Sequence, residues 1–139
     1  MKAWMAVVLS AAVLLAAFHA GVKQGQDRSL FVSPPDVIAE EFGKQLAAHR
    51  FPGATELLSD SLRSRIGADS LERFTAAIER SCGRILHVHG ESRGASSDSA
   101  RAAAVMMTDR CDELSLPTKL AFDNEWRISE LGVASSATK

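Results

Sequence analysis

Tyrosine is missing from this chain of 139 residues, so no phenol can serve as an acid at any site it forms. Cysteine is nearly missing too: Cys82 and Cys111 are the only two, and one disulfide is the most they can make. An excess of either charge is also absent. From Lys23 onward there are 15 Lys and Arg against 17 Asp and Glu, a net of −2, with no basic stripe and no Lys/Arg cluster along the chain. That balance argues against a nucleic-acid partner. There is no length for two domains either, because the part after the first two dozen residues is already near the small end of the usual range.

What is present begins with an apolar stretch from Ala3 to Val22, preceded by Lys2 and interrupted only by Ser10, His19 and Gly21. A cleavable leader needs small residues at the first and third positions before the cut. Cutting after Ala20 puts Phe18 at the third position, and cutting after Ala17 puts Leu15 there. Both are poor sites. A bilayer span needs about 20 mostly apolar residues, which this stretch just supplies. Residues 1–22 therefore read as a retained signal-anchor, with residues 3–22 in the membrane. Cleavage to a secreted or periplasmic form is the alternative.

Residues 23–34 are polar and proline-marked and read as a linker. Ser33 as cap, Pro34 at the first helical position and Asp36 as capping-box acid predict a helix start, running to about Arg50 with Val37, Ile38, Phe42 and Leu46 on one stripe. "FPG" at 51–53 breaks it. A second helical stretch carries Leu57 and Leu58, and "SDSLRSRIGADS" after it reads as a short helix with a stop at Gly67. A third begins near Asp69, carries Leu71, Phe74, Ala77 and Ile78, and closes on Gly83.

From Arg84 the period falls to two. Strands are expected at "RILHVHGE", "RAAAVMMTD", 114–122 and 126–131. The fold class is then α+β: three helices packed on a four-strand antiparallel meander, over residues 35–133, with 134–139 as a disordered tail. Folding the first hairpin about the middle of "GASSD" sets Cys82 opposite Cys111, Arg84 opposite Asp109, Leu86 opposite Met107 and Val88 opposite Val105. Opposed residues share a face. His87, His89 and Glu91 fall on the other face with Ala102, Ala104 and Met106. "AAAVMM", apolar on both sides, marks a central strand.

The cysteines then read as a disulfide formed outside the cytoplasmic membrane, the alternative being two separate buried thiols. His87, His89 and Glu91, at alternate positions, could approach one ion. On this register they face solvent or a second subunit, so no metal and no cofactor are expected. Asp109 and His87 are the candidates for acid or base work, although an ion pair with Arg84 accounts for Asp109 more simply.

The order "EEFGKQLAAHRFPGATELLSDSLRSRI", "SLERFTAAIERSCGRILHVHG" and "LAFDNEWRISEL", over about residues 36–131, resembles the nuclear-transport-factor-2-like superfamily, in particular small exported bacterial domains of it. The resemblance implies a cone-shaped fold enclosing an apolar pocket, often with subunits paired through the sheet's outer face. Its members include ketosteroid isomerases, scytalone dehydratases and polyketide cyclases as well as non-catalytic binding domains. The tyrosine acid of the isomerases has no counterpart here. The expectation is an exported, membrane-tethered, non-catalytic module that takes an apolar small molecule or a protein partner, with a small lyase or isomerase as the alternative. Phe42, Leu46, Phe74, Ile78, Leu86, Val88, Val105 and Met107 are expected to line its interior, with Gly43, Ala47 and Ala77 leaving room beside them.

Overall fold

The computed structural model describes residues 32–136, so the expected membrane segment and most of the linker lie outside the described residues. No helix among the described residues is long and apolar enough to cross a membrane. Four helices come first: α1 Pro35–Ala47, α2 Phe51–Thr55, α3 Asp60–Arg63 and α4 Ala68–Cys82. Strands β1 Ile85–Ala95, β2 Ser99–Thr108, β3 Asp112–Phe122 and β4 Trp126–Leu131 follow, in the antiparallel order β1-β2-β3-β4. The class is α+β, as the patterning predicts.

Local chemistry sets the helix ends, with differences from expectation. Pro34 rather than Ser33 occupies the N-cap of α1 and no side chain caps it, so Pro35 takes the first helical position, where its missing N–H costs nothing. The helix stops at Ala47 instead of Arg50 because His49 turns the chain at a φ of 60°. The helical stretch expected at Leu57 and Leu58 lies earlier, as α2, while the short helix expected after it is α3, which Ser59 caps by accepting the Leu62 N–H at 3.2 Å. Gly83 follows α4 at a φ of 84°, and a Cβ there would lie 2.7 Å from Asp109 Cβ.

One β-bulge corrects the expected faces. Ile85 pairs with Thr108, but the next pair is His87 with Met107, leaving Leu86 as an extra residue on β1. An extra residue shifts every later pair by one, and a one-residue slip exchanges the faces. Val88 therefore lies opposite Met106, and His89 opposite Val105. Met106, Ala104 and Ala102 face the helices, while Met107 and Val105 share the outer face with His87 and His89. Leu86, expected inside, is 57% exposed.

The core gathers Phe42 and Leu46 from α1, Leu71 and Ile78 from α4, and Val88, Met106, Leu116, Leu120 and Ile128 from the sheet. Each edge strand of the sheet is hydrogen-bonded through its backbone at one point from the helical layer. At β1 the Gly90 N–H donates to Glu40 Oε1 of α1 at 3.0 Å. At β4 the Ser59 N–H donates to the Ile128 carbonyl at 2.7 Å, and the Ile128 N–H to the Leu57 carbonyl at 2.9 Å. The end of the domain is also pinned. Ser135 and Ser136 form a short strand, β5, against Ser115 and Leu114, so the expected loose tail does not begin at 134.

Candidate functional site

The helix-facing interior is filled beneath α1 and open beneath α4. Gly43 shows how α1 closes: a Cβ there would stand 2.6 Å from Val88 Cγ1 and 3.2 Å from Ala104 Cβ. The glycine is a point of close approach of helix to sheet, and the room expected beside it is already occupied. Phe42 and Leu46 are fully buried against the same strands. The space that remains on that side is an open hollow of about 340 Å³ between Ala47 and Ala48 of α1 and Ile85 to Val88 of β1, and its lining includes the ionisable Lys44 and His87.

Along α4 the outcome differs. Phe74, Ala77, Ile78, Ser81 and Cys82 form one wall of a groove of about 250 Å³, with Leu114 of β3 at its base and Val133 and Ala134 on the far side. Helical spacing explains the wall. Ile78 and Cys82 belong to the buried stripe, and Phe74, Ala77 and Ser81 lie beside it. The Cys82–Cys111 disulfide closes the end where α4 meets the β2–β3 turn, with the two Cα atoms 5.0 Å apart. The Arg110 N–H reinforces that junction by donating to the Cys82 carbonyl at 2.8 Å.

The lining contains one hydroxyl, Ser81, and no ionisable side chain. Larger hollows exist, including one of about 470 Å³ bounded by Ser59, Asp60, Ala121, Asp123, Asn124, Glu125 and Arg127. It is a polar dent in which Arg127 already pairs with Glu125. Size alone is therefore a poor guide here. A site for an organic ligand is concave and mostly apolar with a few polar groups, and the α4 groove fits that description.

Of the residues expected to line an interior, Phe74 and Ile78 reach the groove. Phe42, Leu46 and Val88 belong to the closed core, and Leu86, Val105 and Met107 lie outside it for the bulge reason given above. Leu114, Ser81, Val133 and Ala134 were not anticipated. The apolar Val133, 83% exposed just after the last long strand, was the readable signal for the last pair.

Neither acid–base candidate enters the groove. Asp109 accepts the Arg84 backbone N–H at 3.1 Å and lies 3.8 Å from the Arg84 Nε, with both side chains largely in solvent. His87 is exposed on the outer sheet face, its ring centroid 6.2 Å from that of His89. The His89 ring is held by Glu91 at 3.3 Å. The Glu91 carboxyl sits below its usual range, chiefly through the hydrogen bond from Arg93 and then that from His89. No group of three or more His, Cys, Asp or Glu side chains among the described residues is placed to hold a metal ion. The outer face itself is polar. Ala103 and Val105 on that face are buried within the subunit, and Met107 is half-buried.

No family model matches the chain, and no curated protein sequence matches it. Among solved structures it is similar to an NTF2-like protein from Campylobacter jejuni, named as a candidate transpeptidase, with 21% identity and a TM-score of 0.48 over 70% of this chain and 99% of that one. A likeness of that size assigns no activity to this chain.

Proposed function

We propose that this protein is a non-catalytic binding module, held at the outer side of a membrane by residues 3–22, that takes an apolar small molecule or an apolar side chain of a protein partner into the α4 groove. The observation that carries the reading is the lining: apolar on three sides, with one hydroxyl and nothing ionisable. A lyase or isomerase needs converging acid and base groups at its pocket, and the two candidates for such work, Asp109 and His87, lie elsewhere. The disulfide between α4 and the β2–β3 turn supports an oxidising compartment.

The test is Ala77→Trp. Ala77 is exposed on the groove wall, so an indole there occupies the groove without overpacking the core. We expect an environment-sensitive apolar dye, and any lipid co-purifying with the wild type, to lose binding roughly tenfold or more. Unfolding free energy should move by no more than about 0.5 kcal/mol, as for other surface changes. Undiminished dye binding in the variant would overturn the assignment of the groove.

A further inference from the structure

The outer face of the sheet assembles something that the linear sequence does not show. Arg101 of β2 is the direct cross-strand partner of Lys119 of β3. On β1 the pairing passes from Ser92↔Ala102 to Ala95↔Ala100 through a bulge that holds Arg93 and Gly94, and Arg93 borders the same hollow as Arg101 and Lys119. Three cations thus form a row across three neighbouring strands. Like charges set directly opposite each other destabilise a sheet, so the row needs an account.

Compensation is uneven along it. Arg93 donates to Glu91 at 2.9 Å and reaches Ser115 Oγ at 3.4 Å. Arg101 and Lys119 make no side-chain hydrogen bond or ion pair among the described residues. Glu130 is the backbone partner of Lys119 on β4, but the two side chains do not pair. The described domain has 12 Lys and Arg against 16 Asp and Glu, a net of −4, so this patch runs against the overall charge. All three cations border one open hollow of about 410 Å³ floored by Gly94, Ala95 and Ala100, with the Ser96 and Ser99 hydroxyls at its end.

We infer that the hollow bounded by Arg93, Arg101 and Lys119 is a binding site for a phosphate-type oxyanion, either free or as the head group of an anionic lipid. Guanidinium groups match the geometry of phosphate oxygens and hold them through charge-assisted bonds. An anion seated between Arg101 and Lys119 also removes the repulsion that the bare row carries. This inference is independent of the α4 groove, whose lining shares no residue with this hollow.

The experiment uses the full chain inserted in phosphatidylcholine vesicles, read by hydrogen exchange of the segment 93–101. Millimolar inorganic phosphate is added in one arm. In the other, half of the phosphatidylcholine is replaced by phosphatidylglycerol. Salt-sensitive slowing of exchange in the first arm identifies a free oxyanion as ligand, and slowing in the second identifies a lipid head group. Either result supports the site. In the double variant R101Q/K119Q the anion concentration needed for half the protection should rise about tenfold or more. The double variant R65Q/R73Q, with the same change in net charge, should respond like the wild type. Because it loses a repulsive pair, R101Q/K119Q should melt no lower than the wild type. No protection in either arm, equal weakening in the two double variants, or a lower melting temperature for R101Q/K119Q would each overturn the inference.

Discussion

Helices α1 and α4 lie in the same layer, and they meet the sheet in opposite ways. α1 is pressed onto β1 and β2 by Gly43, seals its interface with Phe42 and Leu46, and ties the edge strand through Glu40. α4 has a stripe of Leu71, Thr75, Ile78 and Cys82, yet its flank beside the end of the domain stays open and its lower end is held by a covalent bond. A hydroxyl on that stripe, Thr75 Oγ1, is buried without a hydrogen-bond partner. One helix is fastened by packing, the other by a staple. A ligand can enter only where packing is incomplete, and on the α4 side the space so left is lined without any ionisable side chain.

The same substitution on the two helices should separate them most strongly. Phe42→Ala leaves a void in a fully buried position and should cost about 3 to 5 kcal/mol. Phe74→Ala removes a ring that is only partly buried at the groove and should cost about 1 kcal/mol. Urea unfolding of the two variants checks this. Equal losses would mean that the groove side is packed as tightly as the α1 side.

Next in size is the staple. The bond closes a loop with a sequence separation of 29, worth about 3 to 4 kcal/mol on the chain-entropy account. Reduction of the folded protein should speed amide exchange in α4 and the β2–β3 turn well before α1 and β1. Dye binding to the groove should fall along with it. Uniform loss of protection over the whole domain would remove the distinction between the two helices.

Much of this was legible from the residues. The four long strands lie close to where the residues place them, and the cysteine pairing follows from the hairpin. Yet that hairpin was folded on one register throughout, and the register holds only as far as Ile85. Nothing in "RILHVHG" announces that Leu86 will be extruded, because the bulge is settled by what α1 and the sheet can pack together. That single residue moved Val105 and Met107 to the outer face and brought Met106, Ala104 and Ala102 inside. It also explains why Leu86, Val105 and Met107 lie outside the helix-facing interior. The basic row was invisible for a different reason: Arg93, Arg101 and Lys119 are far apart in sequence, and only the sheet brings them together. The role of Gly43 was misjudged because a small residue can make room or mark contact, and composition alone does not say which.

The smallest expected effect concerns the polar part of the α1 fastening. Glu40 receives Lys44 Nζ at 2.8 Å and the Gly90 N–H at 3.0 Å, and its carboxyl lies below the ordinary value, first through Lys44 and then through Gly90. A depressed folded-state value means that the stabilisation is fully present above the unfolded-state pKa, near 4.3, and is lost as pH falls through the lower folded value. Glu40→Gln should therefore be less stable than the wild type at neutral pH, and the gap should narrow steadily below about pH 4. Part of it should also shrink in high salt, because the Lys44 pair is exposed and screened. The part due to Gly90 should persist, since a Cβ at that position would lie 2.0 Å from the Asp36 carbonyl oxygen and the helix can approach the strand only at a glycine. Urea midpoints of both proteins at neutral and acid pH make the comparison, and Glu91 titrates equally in each, so it cancels. A gap that stays constant with pH would show that Glu40 contributes through packing alone, leaving α1 and α4 to differ only in how closely their apolar faces meet the sheet.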